Sequence, residues 1–161
     1  MLELGWTAPH HPVDAASALR VILWQHERIR EVLEHGRAVA EAALDGAPPS
    51  PDAVASAIGD IHTTIDVHLG YEESVLVPLL RDDLPVGPER AARLLQEHGR
   101  QREILKDIHR EARAFPDLPT LAAKLAFLTS WLLTDMAEEE RNLLVPDVVR
   151  DDQIVIDQSC G

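Results

Sequence analysis

Length, charge and composition restrict the class of protein before any motif is considered. The chain has 161 residues, enough for one domain with its own core, and its formal net charge of −13 disfavours nucleic acid or an anionic membrane as partner. The one cysteine, Cys160, excludes an internal disulfide and fits a reducing compartment, and no apolar run approaches the roughly 18 to 20 residues of a membrane span. We therefore expect a soluble, cytoplasmic protein.

Helix signals recur four times along the chain. Capping residues, prolines at first helical positions and apolar periodicity predict helices over about residues 14–44, 51–81, 88–115 and 121–145, the last of them capped by Thr120. Because short loops join such helices as antiparallel neighbours, the predicted fold is all-α, an antiparallel up-down-up-down four-helix bundle. Residues 1–13 are expected to form an N-terminal arm and residues 150–161 a C-terminal tail.

Polar side chains interrupt the apolar stripes of the second and fourth predicted helices. In the second helix, the helical period places His68 and Glu72, one turn apart, on the apolar face. The same stripe recurs in the fourth helix, and aligning the two stripes pairs His68 with Asp135 and Glu72 with Glu139. The two helices therefore carry equivalent pairs of inward polar groups.

The first and third predicted helices repeat a second pattern. Aligning their apolar stripes pairs Leu23 with Leu95 and His26 with His98. Each of these helices thus contributes one histidine to its apolar face. The other residues of both stripes are expected to face the core.

These inward polar residues together predict a metal site. Any one of them could be a core side chain with a hydrogen-bonding neighbour, but burying all of them without a cation would cost roughly several kcal/mol per ion. A metal ion satisfies imidazoles and carboxylates at once. The predicted ligands are His26, His68, Glu72, His98, Asp135 and Glu139.

At this point the chain resembles the hemerythrin-like family, also called the HHE cation-binding domain. The matching segments are Gln25-His26-Glu27, His68 to Glu73 with Pro78, Glu97-His98, and Glu138-Glu139-Glu140 with Pro146. The resemblance implies a bundle over residues 14–149 that holds two non-haem iron ions, bridged by carboxylates and an oxo or hydroxo group and capped by histidines. Carried over by position, the matching ligands are His26, His68, Glu72, His98 and Glu139.

The fourth helix departs from the family pattern. Asp135 stands where the family has a histidine, and an alignment anchored on Pro146 would instead use Met136 and Glu140. Glu139 is preferred because it lies at the centre of the stripe, with Glu140 about 100° round the helix, and an oxygen donor suits a ferric ion better than a thioether. Asp135 could instead form a hydrogen bond to a ligand histidine without contacting the metal, or it could face a water-filled gap.

The resemblance and the substitution together suggest a reaction class. A carboxylate in place of an imidazole stabilises the higher oxidation state, so reaction with O₂, hydrogen peroxide or nitric oxide is expected rather than reversible O₂ carriage. Peroxide decomposition and a ferroxidase-like activity both stay open. Two alternatives remain: a metal-dependent sensor or interaction module whose tail Ile154-Val155-Ile156 contacts a partner, and a single zinc at the three histidines with one carboxylate.

Overall fold

The computed structural model of the chain describes residues 14–46, 50–82, 85–114 and 117–149. These residues form four helices: α1 (Ala15–Leu44), α2 (Pro51–Asp82), α3 (Gly87–Arg113) and α4 (Leu118–Asn142). The described ranges contain no strand, and the helices pack on one another as in a bundle, which confirms the all-α prediction. None of the described helices is apolar over a length that could cross a membrane. The predicted arm and tail lie outside these ranges.

Side-chain caps set where α1 and α4 begin. The Asp14 carboxylate accepts the Ser17 N–H at 2.9 Å and starts α1 as predicted. The fourth helix begins earlier than predicted, because Asp117 accepts the Thr120 N–H at 3.0 Å and Asp117, rather than Thr120, is the cap. Its predicted end was also wrong: α4 stops at Asn142, and the turn that follows brings Leu144 into the core.

The core consists of two apolar clusters, one toward each end of the bundle. The first includes Ile29, Leu33, Ile61, Ile65, Leu69, Leu105, Leu125, Leu132 and Met136. The second includes Leu19, Ile22, Val75, Leu76, Leu80, Leu94, Leu144 and Val149. Between them, the buried residues on α1, α2 and α3 are polar. The bundle therefore encloses a polar layer between the two apolar clusters.

Two residues of the predicted stripes lie at the edge of the core. Leu23 and Leu95 were predicted to face inward, but they are 39% and 36% exposed, while the other stripe residues of α1 and α3 are buried as predicted. Gln25 and Gln101, which the stripes did not include, are buried. They bind His68 and Asp135, respectively, and hydrophobic periodicity does not indicate such polar partners.

Candidate metal centre

Three helices bring four potential metal ligands to one point. One ligand atom from each of His26, His68, Glu72 and Glu139 lies within 4.8 Å of the other three. The two histidines and Glu72 are buried, and Glu139 is partly buried. Nitrogen and oxygen donors at this spacing can share one ion, and iron and zinc both accept such a set.

The other two predicted ligands lie on the side of the centre that faces α3 and α4. His98 is buried, and its Nε2 is 3.3 Å from Glu72 Oε2. Asp135 is only partly buried and accepts a hydrogen bond from the Gln101 side-chain amide. His98, Asp135 and Glu139 all line a cavity of about 260 Å³ between these two helices. The structure thus places His98 next to Glu72 and Asp135 at the neighbouring cavity wall.

Each of the three buried histidines uses its Nδ1 to bind an acceptor outside the centre. The Nδ1 atoms of His26 and His68 lie 2.8 Å from Glu140 Oε1 and from Gln25 Oε1, respectively. The Nδ1 of His98 is 3.1 Å from Glu73 Oε1. Because these oxygens accept, Nδ1 carries the proton and Nε2 presents a lone pair. Metal-binding histidines are oriented in this way.

The inward atoms of the centre are mutually unfavourable without a positive charge between them. The Nε2 atoms of His26 and His68 are 3.2 Å apart, and they lie 3.7 Å and 3.4 Å from the oxygens of Glu72. Neither Glu72 oxygen has a hydrogen-bond partner among the described residues, although both are buried. Such a group costs about 1–3 kcal/mol or more when it is left unsatisfied. The residues present therefore fit a bound cation.

Burial and close contact between charged groups shift the pKa values of the candidate ligands in different directions. Burial acts to raise the pKa of Glu72, whereas His68, His26 and His98 lower it overall when their imidazoles carry an inward proton. Burial lowers the pKa of His68 to about 4, so its imidazole is neutral at pH 7. Burial and the negative charges of Glu72 and Asp135 raise the pKa of Glu139 to about 9. A cation would stabilise the ionised form of Glu139, which the protein alone disfavours.

The geometry also separates the two alignments of the fourth helix. Glu139 belongs to the four-residue group, whereas Glu140 binds the outer nitrogen of His26. Met136 is buried in the first apolar cluster. The arrangement therefore favours Glu139 over Glu140, while Asp135 as a ligand stays a prediction.

Sequence reasoning missed the carboxylates that bind the outer nitrogens. Glu140 was expected to point toward solvent, yet it contacts His26, and Glu73 contacts His98. A signal was present, because each of these residues directly follows a predicted ligand glutamate, so the alignment of α2 with α4 pairs them as well. The repeat thus includes the partners of the histidines as well as the ligands.

The fold and the centre define a four-helix bundle built to bind a metal cation. Residues 17–146 match the family model described as the hemerythrin HHE cation-binding domain. The chain belongs to this family, as its motifs predicted. Comparison with curated proteins and with solved structures gives no match.

Proposed function

We propose that this domain holds two non-haem iron ions and reacts there with O₂, hydrogen peroxide or nitric oxide. The observation that carries the proposal is the position of Glu72. Its Oε1 is 3.7 Å from His26 Nε2, while its Oε2 is 3.4 Å from His68 Nε2 and 3.3 Å from His98 Nε2. A carboxylate that lies among histidines of three helices is placed to contact more than one ion.

The internal repeat supports the same division. Two successive helices supply His26 and His68, and the next two supply His98 and Asp135. In this proposal, each pair would hold one ion, and Glu72 and Glu139 would lie between the ions. In this arrangement the four-residue group would supply His26 and His68 to one ion and Glu72 and Glu139 to both.

The chain's own residues set the conditions for reaction. When bound, the two irons supply the capacity to exchange electrons with a small oxidant. Apolar clusters lie on either side of the polar layer, and the cavity at His98, Asp135 and Glu139 gives a small reactant access from the side of α3 and α4. Gln101 holds Asp135 at the wall of that cavity. Carboxylate ligands favour the ferric state, which supports turnover or sensing over reversible O₂ carriage.

A single zinc site is the second candidate. The four-residue group by itself has the ligand number that zinc prefers in a tetrahedral site. This set differs from the zinc site predicted from the sequence, which used His98 as its third histidine; here His98 and Asp135 would have no direct role as ligands. The two candidates differ in metal content, in colour and in their dependence on His98.

Elemental analysis with an absorption spectrum tests the proposal on protein purified from its own host. We expect about two irons per chain and visible charge-transfer bands after oxidation, in keeping with carboxylate-bridged iron sites. His98→Ala should remove at least one iron per chain, whereas His35→Ala, at an exposed histidine of α1, should leave the content unchanged. A colourless protein with one zinc that survives His98→Ala would overturn the di-iron proposal.

The reaction class needs a separate measurement. Reduced, iron-loaded protein should be reoxidised when it is mixed with O₂ or hydrogen peroxide, or should form a new absorbing species with nitric oxide. A stable oxygenated form that releases O₂ on purging would contradict the proposed reactivity and indicate carriage instead.

A further inference from the structure

Two arginines occupy equivalent positions around the centre. Arg30 lies one turn after His26 on α1, and its Nη2 contacts the Glu140 oxygens at 2.6 and 2.7 Å. The Glu140 carboxylate in turn accepts from His26 Nδ1. The first unit is therefore a chain of three side chains: arginine, glutamate and ligand histidine.

The second unit has the same order on α3 and α2. Arg102 lies one turn after His98, and its Nη1 and Nη2 bind the two oxygens of Glu73 at 2.5 and 3.2 Å. Glu73 accepts from His98 Nδ1. Asp66 also binds Arg102, at 3.1 Å from its Nε, and holds the guanidinium in place.

The internal repeat relates these two units residue by residue. The alignment of α1 with α3 that pairs His26 with His98 also pairs Arg30 with Arg102, and the alignment of α2 with α4 pairs Glu73 with Glu140. The third histidine differs, because His68 Nδ1 is bound by the neutral amide of Gln25. Charged partners are therefore confined to the histidines that the repeat duplicates, one on each side of Glu72.

We propose that Arg30 and Arg102 are positioning residues that balance the charge of Glu140 and Glu73 and thereby set the reduction potential of the ion on each side of the centre. A carboxylate that accepts an Nδ1–H makes the imidazole a stronger donor and favours the oxidised metal. A bidentate arginine fixes that carboxylate and offsets its charge. The inference rests on the proposed function, since it requires redox-active iron.

Reduction potentials of the iron-loaded protein test the charge balance. Glu73→Gln removes a negative charge and should shift the potential upward, while Arg102→Gln removes a positive charge and should shift it downward. The double variant should return close to the wild-type value. Glu140→Gln and Arg30→Gln should behave in the same way. Arg28→Gln, which breaks an exposed Arg28–Glu31 pair on α1, should cause no shift.

A merely structural ion pair would give a different result. If the pair only stiffened the helices, both single variants would loosen the histidine and move the potential in the same direction. Shifts of equal sign in Glu73→Gln and Arg102→Gln, or no shift in either, would overturn the proposal.

Metal affinity separates a failure of this inference from a failure of the proposed function. In competition between Co²⁺ and a chelator, Glu73→Gln and Glu140→Gln should each weaken binding about 10- to 100-fold, the usual effect of removing the partner of a ligand histidine. If the wild-type protein binds Co²⁺ but has no reducible iron, the proposed function fails; if it has reducible iron and the potentials do not shift as stated, this inference alone fails. Unchanged Co²⁺ affinity in both variants would show that Glu73 and Glu140 do not act on the ligand histidines, which would also reject the inference.

Discussion

Glu139 is the residue whose chemistry depends most on whether a cation is bound. Its pKa of about 9 means that the folded, metal-free protein keeps a proton there at neutral pH, while the unfolded chain, with an ordinary value near 4.5, does not. The stabilising effect of that proton is present at low pH and is lost as the pH rises toward 9. His68 has the opposite dependence: the stability that depends on its neutral form rises between its folded pKa of about 4 and its ordinary value of 6.5, and it changes little above that pH.

The stability of the metal-free protein should therefore fall as the pH is raised from 6.5 to 9. Glu139→Gln should flatten this dependence, because glutamine does not titrate, and denaturant unfolding at a series of pH values measures it. Glu138→Gln, at an exposed neighbour, is the control and should keep the wild-type slope. A slope that persists in Glu139→Gln would assign the effect to another group.

Asp135 gives a second prediction at the residue scale. Asp135→His removes a negative charge from the cavity wall and supplies the donor that the family pattern contains, so the reduced iron centre should become more stable. Reoxidation in air, followed by absorption, should slow by about tenfold or more, the factor that corresponds to about 1.4 kcal/mol. Asp60→Asn, at an exposed position of α2, should leave the rate unchanged. Faster reoxidation in Asp135→His would contradict the role assigned to this carboxylate.

At the scale of the helix, Gly36 lies where α1 packs tightly against α2 and α4. A Cβ at this position would lie 3.0 Å from Ile61 Cδ1, 3.2 Å from Thr129 Cγ2 and 3.3 Å from Leu125 Cδ1. All three side chains are fully buried, so they have little room to move. Gly36 thus permits the contact of α1 with both α2 and α4.

Alanine substitutions at two glycines should therefore have opposite effects. Gly70 is exposed on α2, and a methyl group added there would meet no other atom within 4 Å, so Gly70→Ala should stabilise the protein by about 0.5–1 kcal/mol through helix propensity. Gly36→Ala gains the same propensity but should lose about 1–3 kcal/mol to overpacking. Chemical denaturation of the two variants measures the difference. Equal stability of the two variants would show that Ile61, Thr129 and Leu125 can shift to make room for the added methyl group.

Helix order and the inward positions of the candidate ligands were predictable from sequence because both depend on periodicity. The cap at Asp14 indicates where α1 begins. Polar residues that recur with the apolar period of each helix are predicted to face inward, and these include His26, His68, Glu72 and Glu139. These positions follow from the 3.6-residue repeat of the helix.

The remaining features depend on contacts between helices, which periodicity does not contain. Gln25 and Glu140 were not predicted to contact histidines, because a polar side chain is drawn inward only when a buried imidazole needs an acceptor. The start of α4 was missed because Thr120 and Asp117 are both good caps. The antiparallel course of the helices stays a prediction.

For the whole molecule, the net charge of −13 should assist the capture of cations. Glu97 and Glu138, together with Asp135 and Glu139, line the cavity that leads to His98, and Arg90 and Arg93 line it as well. The rate of Co²⁺ uptake by the metal-free protein should fall as ionic strength rises, because salt screens attraction beyond about 8–10 Å. Stopped-flow mixing at several salt concentrations measures this rate. A rate independent of salt would mean that entry is limited by a conformational step.

The seam between α3 and α4 is the thinnest contact between neighbouring helices of the bundle, since α4 packs mainly on α1 and α3 mainly on α2. The cavity between these helices gives solvent and chelators a route to His98, while His26 is fully buried where α1 packs on α2 and α4. The two ions of the proposed centre should accordingly exchange at different rates, the outer one leaving before the inner. If a chelator removes part of the metal and a second metal is then added, the product should contain two different ions. The added ion would lie beside α3, and the original ion would stay between α1 and α2.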